Sequence, residues 1–80
     1  MTIKDKEQLE KELWLKAFGN YLKKVRKGKG ISAAELGRRI AMDPPNITRL
    51  EKGQVNPSLY LLKKICDSLN LSLHEFFDDF

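Results

Sequence analysis

Asn46, Thr48, Arg49 and Lys52 stand at helical spacing along one short segment, Pro44 to Lys52, and they carry most of the chemistry this chain offers. Ile47 and Leu50 alternate with them at the same spacing. The segment therefore reads as a helix with an apolar inner edge and a polar outer edge. An outward arginine presents two N–H donors that match the acceptor edge of guanine, and asparagine can pair with adenine in the same way. A lysine at the helix end meets a phosphate as a point charge, which positions without specifying. The chemistry open to these residues is recognition of base edges and backbone phosphates, not bond making.

No competing constellation appears elsewhere. His74 is the sole histidine and has no second metal ligand near it in sequence. Cys66 is the sole cysteine, so an intrachain disulfide and a thiolate metal cluster are both excluded. Its place on an apolar helix face suits a small buried hydrophobe. No paired carboxylates, Ser/His/Asp set or phosphate-cradling loop is present. An enzyme, a metal or a cofactor is not expected. No apolar run approaches the ~20 residues needed to span a bilayer, and the start of the chain lacks a signal segment. A cytoplasmic protein is expected.

The net charge of +4 is modest, but its placement is not even. Residues 1–22 sum to zero, residues 23–52 to +6 and residues 53–80 to −2. The positive excess coincides with the Arg49 segment and the stretch before it. A polyanion is attracted to that side. On charge alone, a merely solvated basic face is an equal alternative.

Helical periodicity dominates the whole chain, and no alternating strand pattern competes with it. Five helices are predicted, near 6–27, 32–40, 44–52, 57–69 and 73–78. Trp14, Leu15, Phe18, Tyr21, Leu22 and Val25 form one apolar stripe on the first, which Gly30 closes in a left-handed cap. Ser32 with Glu35 and Ser72 with Glu75 read as capping boxes, with Ile31–Leu36 and Leu71–Phe76 as their hydrophobic staples. Asn56-Pro57 is predicted to open the fourth helix, with Leu59, Leu62, Ile65, Cys66 and Leu69 buried and Asn70 as its stop. Asp43 is expected to cap the N–H of Asn46 at the start of the third helix. Residues 1–17 read as a helical extension continuous with helix one, and residues 18–80 as the domain proper.

From Phe18 to Phe77 the chain resembles the lambda-repressor-like, Cro-type (Xre) helix-turn-helix family. Leu22, Val25, Arg26, Gly30-Ile31-Ser32 and Glu35-Leu36 carry the first half of the likeness. Ile47-Thr48-Arg49-Leu50-Glu51-Lys52-Gly53, Asn56-Pro57-Ser58-Leu59, Leu69-Asn70-Leu71-Ser72 and Glu75-Phe76-Phe77 carry the second. The resemblance implies an all-α, compact five-helix domain with an extended first helix, whose third helix enters the DNA major groove. It implies a sequence-specific transcriptional regulator, repressor in type. It also implies an ion pair between Arg26 and Glu51.

Four positions depart from the family pattern. Ala33 stands where a glutamine commonly binds phosphate, Ala41 where glycine commonly turns the chain, and Pro44-Pro45 where polar side chains commonly read bases. Base contacts are therefore assigned to Asn46, Thr48 and Arg49. Phosphate contacts are assigned to Lys27, Ser32, Lys52, Gln54 and Asn56; Arg38 and Arg39 are candidates for further contacts, with a Glu35–Arg39 pair on one helix face as the preferred reading of Arg39. The alternative is a protein-interaction module of the same fold, an antitoxin or bridging factor that binds DNA weakly.

One short recognition helix reads few bases, so double-stranded DNA is expected to be met by a homodimer. Phe76, Phe77 and Phe80 crowd three aromatics into the chain end, and Leu9 and Leu13 lie on the side of helix one opposite its apolar stripe. These five are the expected dimer contacts. The opposing reading keeps Phe76 in the core, lets Phe80 fray and folds Leu9 and Leu13 back within one chain.

Overall fold

The computed structural model describes residues 2–80 and contains five α-helices and, among those residues, no strand. They are α1 (Ile3–Gly28), α2 (Ala33–Ile40), α3 (Pro44–Glu51), α4 (Leu59–Ser68) and α5 (Leu73–Phe77). The core is built from one face of each: Phe18 and Leu22 of α1, Leu36 and Ile40 of α2, Ile47 and Leu50 of α3, Ile65 and Cys66 of α4, and Phe76 of α5. Burial pushes the Cys66 thiol pKa up, as an inert core sulfur requires. No described helix is long and apolar enough to cross a membrane.

The first helix starts earlier than its periodicity predicts, because Thr2 and Asp5 form a complete capping box ahead of Ile3. At a rise of about 1.5 Å per residue its 26 residues run nearly the full 42 Å length of the molecule. Residues 2–14 are exposed throughout, so the first half of α1 projects past the core.

Most helix ends follow local chemistry. Gly30 takes φ +71°, with Ile31 N–H donating to the Arg26 carbonyl and Gly30 N–H to that of Lys27. Asn70 at φ +58° closes α4 with the same pair of bonds to Cys66 and Asp67. Ser72 and Glu75 form the predicted box. Ser32 does only half of what is predicted: its hydroxyl accepts from Glu35 N–H, but the Glu35 carboxylate turns away to Arg38 and Arg39. Two guanidiniums attract it more than one backbone amide, and together they pull its pKa down to about 2.

Two burial expectations fail. Ser58, not Asn56, caps α4, so the helix starts two residues late and Leu59 occupies an outward first-turn position, 73% exposed. Trp14 is 52% exposed because the core ends at Phe18; it stacks on that ring at 5.9 Å and meets Phe80 in a T-shaped contact.

Ala41 turns the chain between α2 and α3 at φ 58°, ψ 46°, the left-handed region. A β-carbon there costs about 1 kcal/mol, and the Ala41 N–H still bonds to Gly37 O, so the strain is accepted rather than avoided. Ala41→Gly is therefore expected to raise stability by up to about 1 kcal/mol, offset partly by the extra freedom of glycine in the unfolded chain. Urea melts of the two proteins check this; an unchanged or lower midpoint would count against strain at the turn.

Candidate nucleic-acid interface

The outer face of α3 starts from its first two residues. Pro44 and Pro45 have no N–H to lose where a helix has no acceptor to offer. Asp43 is extended, as a residue before proline must be, yet its side chain makes no capping bond, contrary to expectation. The reason is local: the Asp43 carbonyl already accepts the Asn46 N–H at 2.9 Å, and that of Ile47 at 3.4 Å. Pro44 and Pro45 carry no amide hydrogen, and those of Asn46 and Ile47 are both taken.

Ile47, Leu50 and Glu51 face inward, while Asn46, Thr48, Arg49 and Lys52 are exposed. Thr48 turns its hydroxyl onto the Pro44 carbonyl at 3.3 Å, so that donor is already engaged within the helix. Arg49, by contrast, is exposed and enters no ion pair among the described residues.

Three contacts fix the angle of α3. Arg26 and Glu51 are both 6% exposed and form a two-pronged pair, Nε to Oε2 at 2.7 Å and Nη2 to Oε1 at 2.9 Å. The third prong, Nη1, donates to the Ile31 carbonyl at 2.7 Å, so one guanidinium ties α1 to the end of α3 and to the turn before α2. The Glu51 carboxylate pushes the Arg26 pKa above its already high value, and this side chain stays charged. Gly19 lets the α1 backbone lie directly on the last turn of α3.

Around α3 the assigned phosphate contacts take surface positions. Lys27, Ser32, Lys52, Gln54 and Asn56 are all exposed. Ser32 uses its oxygen as an acceptor and keeps its hydroxyl hydrogen to donate. A cleft opens between α1, the start of α2 and α3, and Asn20 and Lys23 line it together with Ala33, Thr48 and Lys52. Asn20 and Lys23 escaped the sequence reading, though their spacing with Lys27 marks one helical face. Arg38 and Arg39 are instead held by Glu35, and Arg39 also donates to the Ser68 carbonyl at 2.8 Å.

The chain end is largely occupied by its own chain. Phe76 is 1% exposed in the core, and the Tyr21 hydroxyl donates to its carbonyl, so it cannot serve as a dimer contact. Phe80 packs edge-on against Trp14, Tyr21 and Phe77. Phe77 is half-buried, and Phe80, Leu9 and Leu13 remain exposed. Leu59 and Tyr60, both at least 70% exposed, form an apolar pair that periodicity had placed inside or ignored.

A five-helix domain with a locked, outward-facing third helix beside free lysines is a helix-turn-helix DNA-binding regulator. Known proteins bear this out. The helix-turn-helix family model matches residues 22–76, and the chain belongs to that family. Control protein C.MunI from Mycoplasma sp is 40% identical over 63 residues, covering 78% of this chain and 85% of that protein. The crystal structure of the restriction-modification controller protein C.AhdI from Aeromonas hydrophila superposes with a TM-score of 0.74 at 32% identity, over 79% of this chain and 91% of that one. The clp gene regulator ClgR from C. glutamicum gives a TM-score of 0.72 at 30% identity, over 76% and 78% of the two chains.

Proposed function

We propose that this chain is a transcriptional controller that binds a two-fold DNA site as a homodimer, with α3 in the major groove. The observation that carries this reading is the exposed, unpaired Arg49 on a helix whose opposite face is locked to α1. Arg49 reads a guanine edge, with Asn46 and Thr48 beside it. Lys27, Ser32, Lys52, Gln54 and Asn56, joined by Lys23, hold phosphates and set the register. The homodimer contact draws on Leu9, Leu13, Phe77 and Phe80, and on Leu59–Tyr60, which lies just beyond the Gln54–Asn56 turn. The relatives' names, a control protein and a restriction-modification controller, support regulation by a small protein of this kind.

Arg49→Ala is expected to weaken binding to a selected site by roughly 1–3 kcal/mol and to relax base preference at one position per half-site. Lys52→Ala is expected to weaken all sequences alike. Fluorescence titration against sites selected from random duplex, repeated at several salt concentrations, checks both. An unchanged preference in Arg49→Ala would remove α3 from the groove. The Pro44-Pro45 start and the inward Thr48 hydroxyl favour a second reading, a protein-docking module; weak binding with little salt dependence is its signature.

A further inference from the structure

The exposed first half of α1 does no visible work for the fold, yet it is capped and helical. Its underside faces the turn that follows α3, and the two enclose a groove of 480 Å³. A water takes about 30 Å³, so the groove has room for a hydrated phosphate group. Leu15 and Gly53 line it together with Lys11 and Lys16 from α1, Lys52 from the end of α3, and Gln54 and Asn56 from the turn. None of the three lysines enters an ion pair among the described residues. Glu12 also lines the groove, but it is held by the Gln8 amide at 3.0 Å. The groove thus holds three positive charges against one negative, a surplus of two beside amide donors. Like charges gathered this way repel, and an external anion relieves that cost.

We propose that this groove is a second seat for the DNA backbone, in which Lys11 and Lys16 carry the line of phosphates past Lys52, Gln54 and Asn56 and onto the α1 extension. The proposal rests on the DNA-binding reading above. The extension is then a ruler laid along the duplex, adding contacts that no residue of the helix-turn-helix supplies. The partner is the sugar-phosphate backbone, so the effect is the same for every base sequence.

The test compares the wild-type chain with Lys11→Gln/Lys16→Gln and with Glu12→Gln on a mixed-sequence duplex between 50 and 200 mM salt. Each phosphate contact contributes about 0.9 to the slope of log K against log salt, so the double variant should lose about 1.8 per protomer. Glu12→Gln should bind more tightly at every salt concentration. All three side chains are exposed, and thermal melts should coincide with wild type. An unchanged slope in the double variant, with wild type still binding steeply, overturns the groove and leaves the DNA-binding reading intact. A flat wild-type slope overturns both. Inorganic phosphate provides the last arm: a groove that binds it, followed by NMR shifts at Gln54 and Asn56, while the duplex slope stays unchanged, takes a free anion and not DNA.

Discussion

Gly19→Ala is expected to destabilise the domain by about 3 kcal/mol or more, although helix propensity alone argues the opposite sign. Glycine inside a long helix costs roughly 1 kcal/mol relative to alanine, so the exchange should help an isolated α1. In the folded chain a β-carbon at residue 19 would fall on the backbone of the last turn of α3, 2.6 Å from the Glu51 carbonyl carbon and 2.7 Å from the Leu50 oxygen. Neither atom belongs to a side chain that can swing away. The two helices must separate, which opens the core around Leu22 and Leu50 and tilts α3. Urea unfolding with a DNA titration reads both effects: a lower midpoint and weaker binding together. A midpoint equal to or above that of wild type would mean that α1 and α3 do not approach this closely.

Glu51→Ala comes next in size. It strands the Arg26 guanidinium at a site 6% exposed, with only the Ile31 carbonyl left to it. Removing one member of a buried pair typically costs about 3–5 kcal/mol, much of the stability of a small domain. The midpoint of thermal unfolding should fall by on the order of 15 °C. Replacing both members, as Arg26→Met/Glu51→Leu, removes the stranded charge and should recover much of that loss. The pair earns its place through geometry: hydrophobic substitutes hold the same volume but not the three directed bonds that align α1, α2 and α3. The double variant should therefore regain stability more fully than DNA affinity. Coincident melts of wild type and Glu51→Ala would contradict the burial of this pair.

Much of what depends on near neighbours was legible in the sequence, although Asp43 and Asn56 do not cap as expected and Ser32 forms only half of its box. Ser32 and Ser72 as caps and Gly30 and Asn70 in left-handed stops are each decided within about five residues, and all four occur. The family resemblance supplied the Arg26–Glu51 pair, which spacing alone does not reveal. What could not be read depends on distant packing. Gly19 looks like an ordinary helix weakness until α3, more than thirty residues later, is laid across it. Leu59 and Ile65 look alike in an amphipathic pattern, and only the start of α4 at Ser58 turns one outward. The reciprocal bonds between α2 and α4, Arg39 to Ser68 and Lys64 to Ile40, join residues 24 or more positions apart and leave no local mark. The outward roles of Asn46, Thr48 and Arg49 were legible as positions, since the 3.6-residue period sorts them from Ile47 and Leu50.

The paired prolines at the head of α3 set when its disorder is lost. Each ring fixes one backbone angle in the unfolded chain as well as in the folded one. Asn46 and Ile47 then find their acceptor in the Asp43 carbonyl without help from outside. The reading helix is thus finished before any duplex arrives, unlike a basic arm that coils up on contact. Its ordering entropy belongs to folding and not to the encounter. A docking surface that waits in its final shape can be sampled by diffusion alone, so the time it spends on each wrong stretch of DNA is set by how fast it leaves, not by how slowly it folds.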